Sequence, residues 1–238
     1  MDTLLIIVTV AFGALIQGAA GFGMGLFSMG VLAMLLPISE AVVTLAILGL
    51  FTTGLNLWTV RKDVIWRETW PILVTTIPAT IVGTILLSYL PVAVLRRGVA
   101  VMILLGCGAT IWSGETDRLH GPFPWAYVAG LVGGVFGGAL NVGGPPGVVY
   151  TLLRGWDKGR SKAILSAYLC ASSVVRLPMH FLTGNATPEV LRRSLIVLPF
   201  SLAATYLGTR LFQRMSNRIF RLAALTLLVG LAVRILIG

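Results

Sequence analysis

Apolar residues run along this chain in blocks of about 20, the length a helix needs to cross the hydrocarbon core of a bilayer. Six blocks read as complete spans, at 40–60, 69–90, 94–112, 161–183, 190–212 and 217–237. Two further apolar stretches, 3–36 and 125–153, are too long for one crossing, and glycine interrupts each of them. The interruptions read GAAGFGMG from Gly18 to Gly25 and NVGGPPG from Asn141 to Gly147. Inside lipid, unwound backbone survives only where protein or trapped water satisfies its amides and carbonyls, so paired interruptions predict a shared cavity. In the first stretch the arms 3–17 and 26–36 are roughly 22 and 16 Å long at the helical rise, and at least the second cannot cross fully. Each stretch is therefore either a single crossing with a long overhang or a hairpin that turns at its glycine break, and the distribution of charge decides between them.

Composition agrees with that pattern. Hydrophobic residues make up 57% of the chain and charged residues 11%, with a mean hydropathy of +0.94, so the chain is an integral membrane protein. Asp2 opens the N-terminal apolar run and no Lys or Arg precedes it, which is unlike a secretory signal. Cys107 and Cys170 both fall in apolar helices, where they read as small packing residues rather than a disulfide or metal framework. A net charge of +10 would suit nucleic acid, but the basic residues sit at helix ends and short loops, beside anionic lipid, and are not interleaved with stacking aromatics. No nucleic acid, metal or cofactor is expected.

The chain repeats itself. A shift of 125 places lays PATIVGTILL (78–87) over AATYLGTRLF (203–212), and a shift of 122 lays Gly21 and Gly25 over Gly143 and Gly147. Two halves result, 1–113 and 125–238, joined by the polar stretch Ser113 to Pro124. If both glycine-broken stretches turn back on themselves, twelve cations gather on one side: Arg61, Lys62, Arg67, Arg118, Arg154, Lys158, Arg160, Lys162, Arg210, Arg214, Arg218 and Arg221. Arg96, Arg97, Arg192, Arg193 and Arg234 remain on the other. This positive-inside pattern favours hairpins. The expected fold is all-α: two inverted repeats in the cell inner membrane, each a re-entrant hairpin plus three transmembrane helices, with both termini outside.

A helix N-terminus carries free amides and partial positive charge, so hairpin tips are natural oxyanion sites. The expected lining comprises Gly21, Gly23, Gly25, Gly143 and Gly144, with Ser28 and Asn141 as donors and Gln17 as a polar neighbour. Packing is the alternative role for glycine, and it is the expected one for the stripe Gly130, Gly134 and Gly138. Arg176 stands inside the apolar block 161–183 with a planar fork suited to sulfonate or carboxylate, or else it snorkels to the headgroups. His180, one turn further on the same face, is a coupling or gating residue or an interfacial histidine. Tyr168, Ser172 and Ser173 on that helix, and Thr52, Thr53 and Asn56 in the related first-half stretch, could complete the lining.

These motifs, with Leu36-Pro37-Ile38-Ser39-Glu40-Ala41 and the run GGVFGGALNVGGPPGVVY, resemble the sulfite exporter TauE/SafE family of membrane permeases over essentially the whole chain. The resemblance implies a transporter of sulfite, organosulfonates or related small anions. The residues agree with an anion, since no Asp or Glu lies in the middle of any span, and no nucleotide-binding loop supplies energy. The expected function is a secondary transporter, an exporter, working by alternating access around a midplane site. Uptake of other small organic anions such as carboxylates, and a non-transporting membrane scaffold, stay open as alternatives, as does a homodimer. An intramembrane enzyme is disfavoured, because the chain has two histidines and lacks GxSG and HExxH patterns.

Overall fold

The computed structural model describes residues 2–89 and 124–219, with the single positions 91, 93, 222, 226, 229 and 230. The span expected at 94–112, most of that at 217–237 and nearly all of the linker lie outside the described residues. Among the described residues there is no strand.

The helices are α1 (Asp2–Ala20), α2 (Met24–Leu35), α3 (Ile38–Val60), α4 (Trp66–Tyr89), α5 (Trp125–Leu140), α6 (Gly144–Leu153), α7 (Lys158–Leu182) and α8 (Pro188–Arg214). A single 3-10 turn, Arg61–Asp63, joins α3 to the approach of α4. Five helices, α1, α3, α4, α7 and α8, are long and apolar enough to cross a bilayer. At 19 residues α1 is longer than the expected arm of about 15, because its helix continues through Gly18, Ala19 and Ala20. Helix α2, with 12 residues, cannot cross.

Two spans begin earlier than their apolar blocks. Asp157 caps α7, its carboxylate accepting the amides of Gly159 (2.9 Å) and Arg160 (3.1 Å), so the polar turn before Ser161 is already helical. Thr187 caps α8 ahead of Pro188, whose missing amide is harmless in a first turn. Such caps are polar, so hydropathy alone places the start two or three residues late.

Helices α3 and α7 pack together at the centre. Each hairpin lies against a helix from the other half of the chain: α1 on α8, and α5 on α4. Small residues permit both crossings, since a Cβ on Gly18 would run into the Thr205 carbonyl and one on Gly138 into the Thr80 carbonyl. Gly130 and Gly134 meet Ile72 and Thr76 along the same seam, so the stripe on α5 is a packing stripe. One buried cluster joins Ile6, Val10 and Ala14 of α1 to Leu45 and Leu48 of α3 and Val197 of α8. The outward faces are apolar and exposed, as at Leu4, Phe12, Val82 and Leu207, which suits lipid.

The two ends of the bundle differ. One, the basic end, holds Arg61, Lys62, Arg154 and Lys158, with the Arg154–Glu68 ion pair at 3.4 Å. Exposed Trp58, Trp66 and Trp70 sit at helix termini beside it, the position of an interfacial aromatic belt. At the opposite end Arg193 pairs with Glu40 at 2.7 Å.

Candidate functional site

Both breaks are three residues long, narrower than the glycine runs that announce them. Break 1 is Gly21-Phe22-Gly23 and break 2 is Asn141-Val142-Gly143. Each closes its helix through a left-handed residue: Gly21 at φ 84°, its amide on the Gln17 carbonyl (2.8 Å), and Asn141 at φ 62°, its amide on the Gly137 carbonyl (3.0 Å). Gly21 thus corresponds to Asn141, an offset of 120 places that also carries the start of α2 to α6 and of α3 to α7. The offset of 122 that matches glycine to glycine is corrected: Asn, which tolerates the left-handed region, fills the glycine position of break 2.

The breaks touch. Gly25 lies against the Asn141 carbonyl and Gly144 against Phe22, and a Cβ on Gly25 would collide with that carbonyl. Between them is a cavity of about 30 Å³. From the breaks and the starts of α2 and α6 its wall takes Gly23, Met24, Gly25, Leu26, Asn141, Gly143 and Gly144. The transmembrane helices add Gln17, Gly49, Thr53, Leu169, Ser173 and Arg176. No carboxylate is in this lining.

Arg176 is buried, at 4% exposure, so it does not snorkel. Its Nη1 donates to the Gly137 carbonyl (2.8 Å) and its Nη2 to Ser173 Oγ (3.1 Å). Its Nε, like Asn141 Nδ2, is buried without a protein partner. Such groups cost about 1–3 kcal/mol each when left unmatched, more when charged, so a cavity holding both has a deficit of acceptors. Helix α2 adds further donors: the first intrahelical bond is Phe27 amide to Gly23 carbonyl (2.9 Å), leaving the amides of Met24, Gly25 and Leu26 ahead of it. Helix α6 adds fewer, because Pro145 and Pro146 in its first turn carry no N–H.

Several expected lining residues are scaffold instead. Ser28 is buried in the α1–α2 hairpin, its hydroxyl donating to the Thr9 carbonyl (3.4 Å), because α2 turns it toward α1. Asn56 donates to the Gln17 carbonyl (3.0 Å) and accepts from Thr209 (3.2 Å), which ties α3 to α1 and α8. Tyr168 donates its hydroxyl to the Gly143 carbonyl from behind the break, and Ser172 bonds Thr80 at 3.0 Å. Gly21 faces Lys162 rather than the cavity. His180 is fully buried, with neither ring nitrogen hydrogen-bonded, and lies outside the lining.

Gln17, whose amide donates to Thr52 (2.9 Å), keeps its expected place in the wall. Met24, Leu26, Gly49 and Leu169 went unrecognised. The spacing Leu169, Ser173, Arg176 follows one helix face outward from Arg176 and would have found Leu169. Lys162, expected at a helix end among the cations of the basic side, is fully buried.

The family model described as Sulfite exporter TauE/SafE matches residues 5–235. A curated protein of Cupriavidus necator strain H16, named "Probable sulfite/organosulfonate exporter TauE", is 24% identical over 235 residues, covering 94% of this chain and 90% of that protein. No solved structure matches the chain.

Proposed function

The chain belongs to the sulfite exporter TauE/SafE family, whose members are membrane transporters and not enzymes, and from that premise we propose that it exports sulfite or small organosulfonates. Cargo binds between the two breaks, against Arg176 Nε, Asn141 Nδ2 and the leading amides of α2. The observation that carries this reading is the pair of buried, unmatched N–H donors in one carboxylate-free cavity at the meeting of two helix termini. A compact oxyanion supplies several acceptors at once and brings the charge that Arg176 lacks. A cavity of only about 30 Å³ favours a compact inorganic anion or a sulfonate head over bulkier cargo, with Met24, Leu26 and Leu169 against any short carbon tail.

Transport proceeds by alternating access between inverted halves, 1–113 and 125–238. Support comes from the packing partners, which keep their pattern when the halves are exchanged: α1 on α8 answers α5 on α4, and α3 on α8 answers α7 on α4. Ion pairs at opposite ends, Arg154–Glu68 and Arg193–Glu40, each join one half to the other, as closing contacts of two mouths would. The basic end is cytoplasmic in the cell inner membrane, and the termini are extracytoplasmic. His180, buried one turn beyond Arg176, is the coupling residue of this scheme.

Counterflow of labelled sulfite into proteoliposomes tests the function. Saturable uptake that sulfoacetate inhibits is the expected result. Absence of exchange for both anions, in protein that retains its thermal transition, refutes the cargo.

A further inference from the structure

Lys162 is a fully buried cation outside the cavity. Its ammonium donates to the Gly18 carbonyl in the last turn of α1 and lies 4.2 Å from the ring centre of Phe212. No carboxylate of the described residues lies within 4.0 Å of it. Lys158, one turn earlier, lies 4.8 Å from the centre of the same ring and donates to the Phe212 carbonyl (3.0 Å), so two like charges share one aromatic ring.

Packing does not require this charge. The position 120 places earlier is Val42, also fully buried, and the carbonyl of Gly138, which corresponds to Gly18, accepts the hydroxyl of Thr84 (3.5 Å). One half of the chain thus fills this place without an ion, while the other pays to desolvate an ammonium. Its location gives the reason. Gly18 follows Gln17 of the cavity wall, and Gly21 of break 1 lies directly over the Lys162 stem. Gly18 is also where α1 meets α8 of the other half.

We propose that Lys162 is a transport residue: it latches the basic end shut on the Gly18 carbonyl and takes the cargo anion in exchange when that end opens. Only the exchange step rests on the anion reading above. Movement of α1 away from α7 strips the ammonium of its carbonyl, and an arriving oxyanion is a stronger acceptor than the carbonyl it replaces. The anion then passes along break 1 to Arg176.

The test uses Ala20→Cys, buried beside the latch, in the full chain with Cys107 and Cys170 replaced by Ala. A membrane-impermeant thiol reagent is applied to vesicles of each orientation. Lys162→Met is expected to speed labelling about tenfold from the basic end alone, the effect of losing one charge-assisted hydrogen bond, and Lys162→Arg to keep it slow. Labelling at the parent rate in Lys162→Met, or an equal rise from both ends, overturns the latch. Saturating sulfite, with Lys162 in place, is expected to speed labelling from the basic end, and this arm stands even where Lys162→Met fails to fold. No such effect in protein whose thermal transition sulfite raises overturns the exchange. Protein that sulfite does not stabilise refutes the cargo reading instead, while the Lys162→Met arm still decides the latch.

Discussion

Replacing Arg176 by Gln separates anion binding from structure because its three donor nitrogens do different work. Nη1 shares the Gly137 carbonyl with the Asn141 amide, so that carbonyl keeps a donor at 3.0 Å when the guanidinium goes. Ser173 loses the Nη2 bond of 3.1 Å, and a buried charge disappears with it. The net stability change of the empty protein is therefore small, about 1 kcal/mol or less in either direction. Nε has no protein partner and is the donor that the proposed cargo site uses. A charge-assisted bond from it to an oxyanion is worth about 1.5–3 kcal/mol, so Arg176→Gln should weaken sulfite binding roughly 10- to 140-fold. Arg176→Lys keeps the charge without the planar fork and should fall between the two. The assay is the thermal transition of detergent-solubilised protein titrated with sulfite, since stabilisation follows ligand concentration relative to Kd. Sulfite affinity within about threefold of the parent in a folded Arg176→Gln protein refutes the reasoning, because less than about 1 kcal/mol would then ride on that donor.

Other substitutions read different parts of the account. Asn141→Ala should lose roughly tenfold in sulfite affinity through its free amide and also lower the melting temperature, as Ala resists the left-handed region; Asn141→Gly should restore the stability but not the affinity. Gly208→Ala should be among the most destabilising single-methyl additions, about 3 kcal/mol or more, because its Cβ would meet the Leu15 carbonyl of α1; a melting temperature near the parent's contradicts that close crossing. Ser28→Ala should cost about 1 kcal/mol or less in stability and leave sulfite affinity unchanged, since Ser28 bonds Thr9 rather than the cavity; any large loss of affinity in a binding titration restores it to the site. Tyr168→Phe should weaken sulfite-dependent stabilisation only a few-fold, by loosening the Gly143 carbonyl it holds; loss of binding comparable to Arg176→Gln contradicts its scaffold role.

The spans were legible because lipid demands long apolar runs, and the breaks because glycine clusters there with proline and asparagine, a combination that interrupts a helix rather than merely packing it. Arg176 was legible for the same reason, as a charge where hydrocarbon is expected. Its burial required the structure, since a cation near a helix end reads alike whether it turns inward or toward the headgroups. Polar residues of apolar helices were the weak point. Ser28, Asn56, Tyr168 and Ser172 carry the same signature as Gln17 and Ser173, yet they bond neighbouring helices while the latter face the cavity. Lys162 was hidden by its company: four residues after Lys158 and second in its apolar block, it reads as a helix-end cation until the capped start of α7 places it one turn inside the helix. Register was obscured similarly, because the residue doing the work of Gly21 in the second half is Asn141, which no glycine-to-glycine match can find.

The proposed transport site requires an oxyanion between the two breaks, on Arg176 and Asn141. Selenite, the heavier analogue of sulfite, makes that anion visible by anomalous diffraction from crystals of the full chain. One anomalous peak within hydrogen-bonding reach of Arg176 Nε and Asn141 Nδ2, lost on adding excess sulfite, is the predicted result. A cavity without a peak, in protein that exchanges labelled sulfite saturably, contradicts the claim and moves the cargo elsewhere.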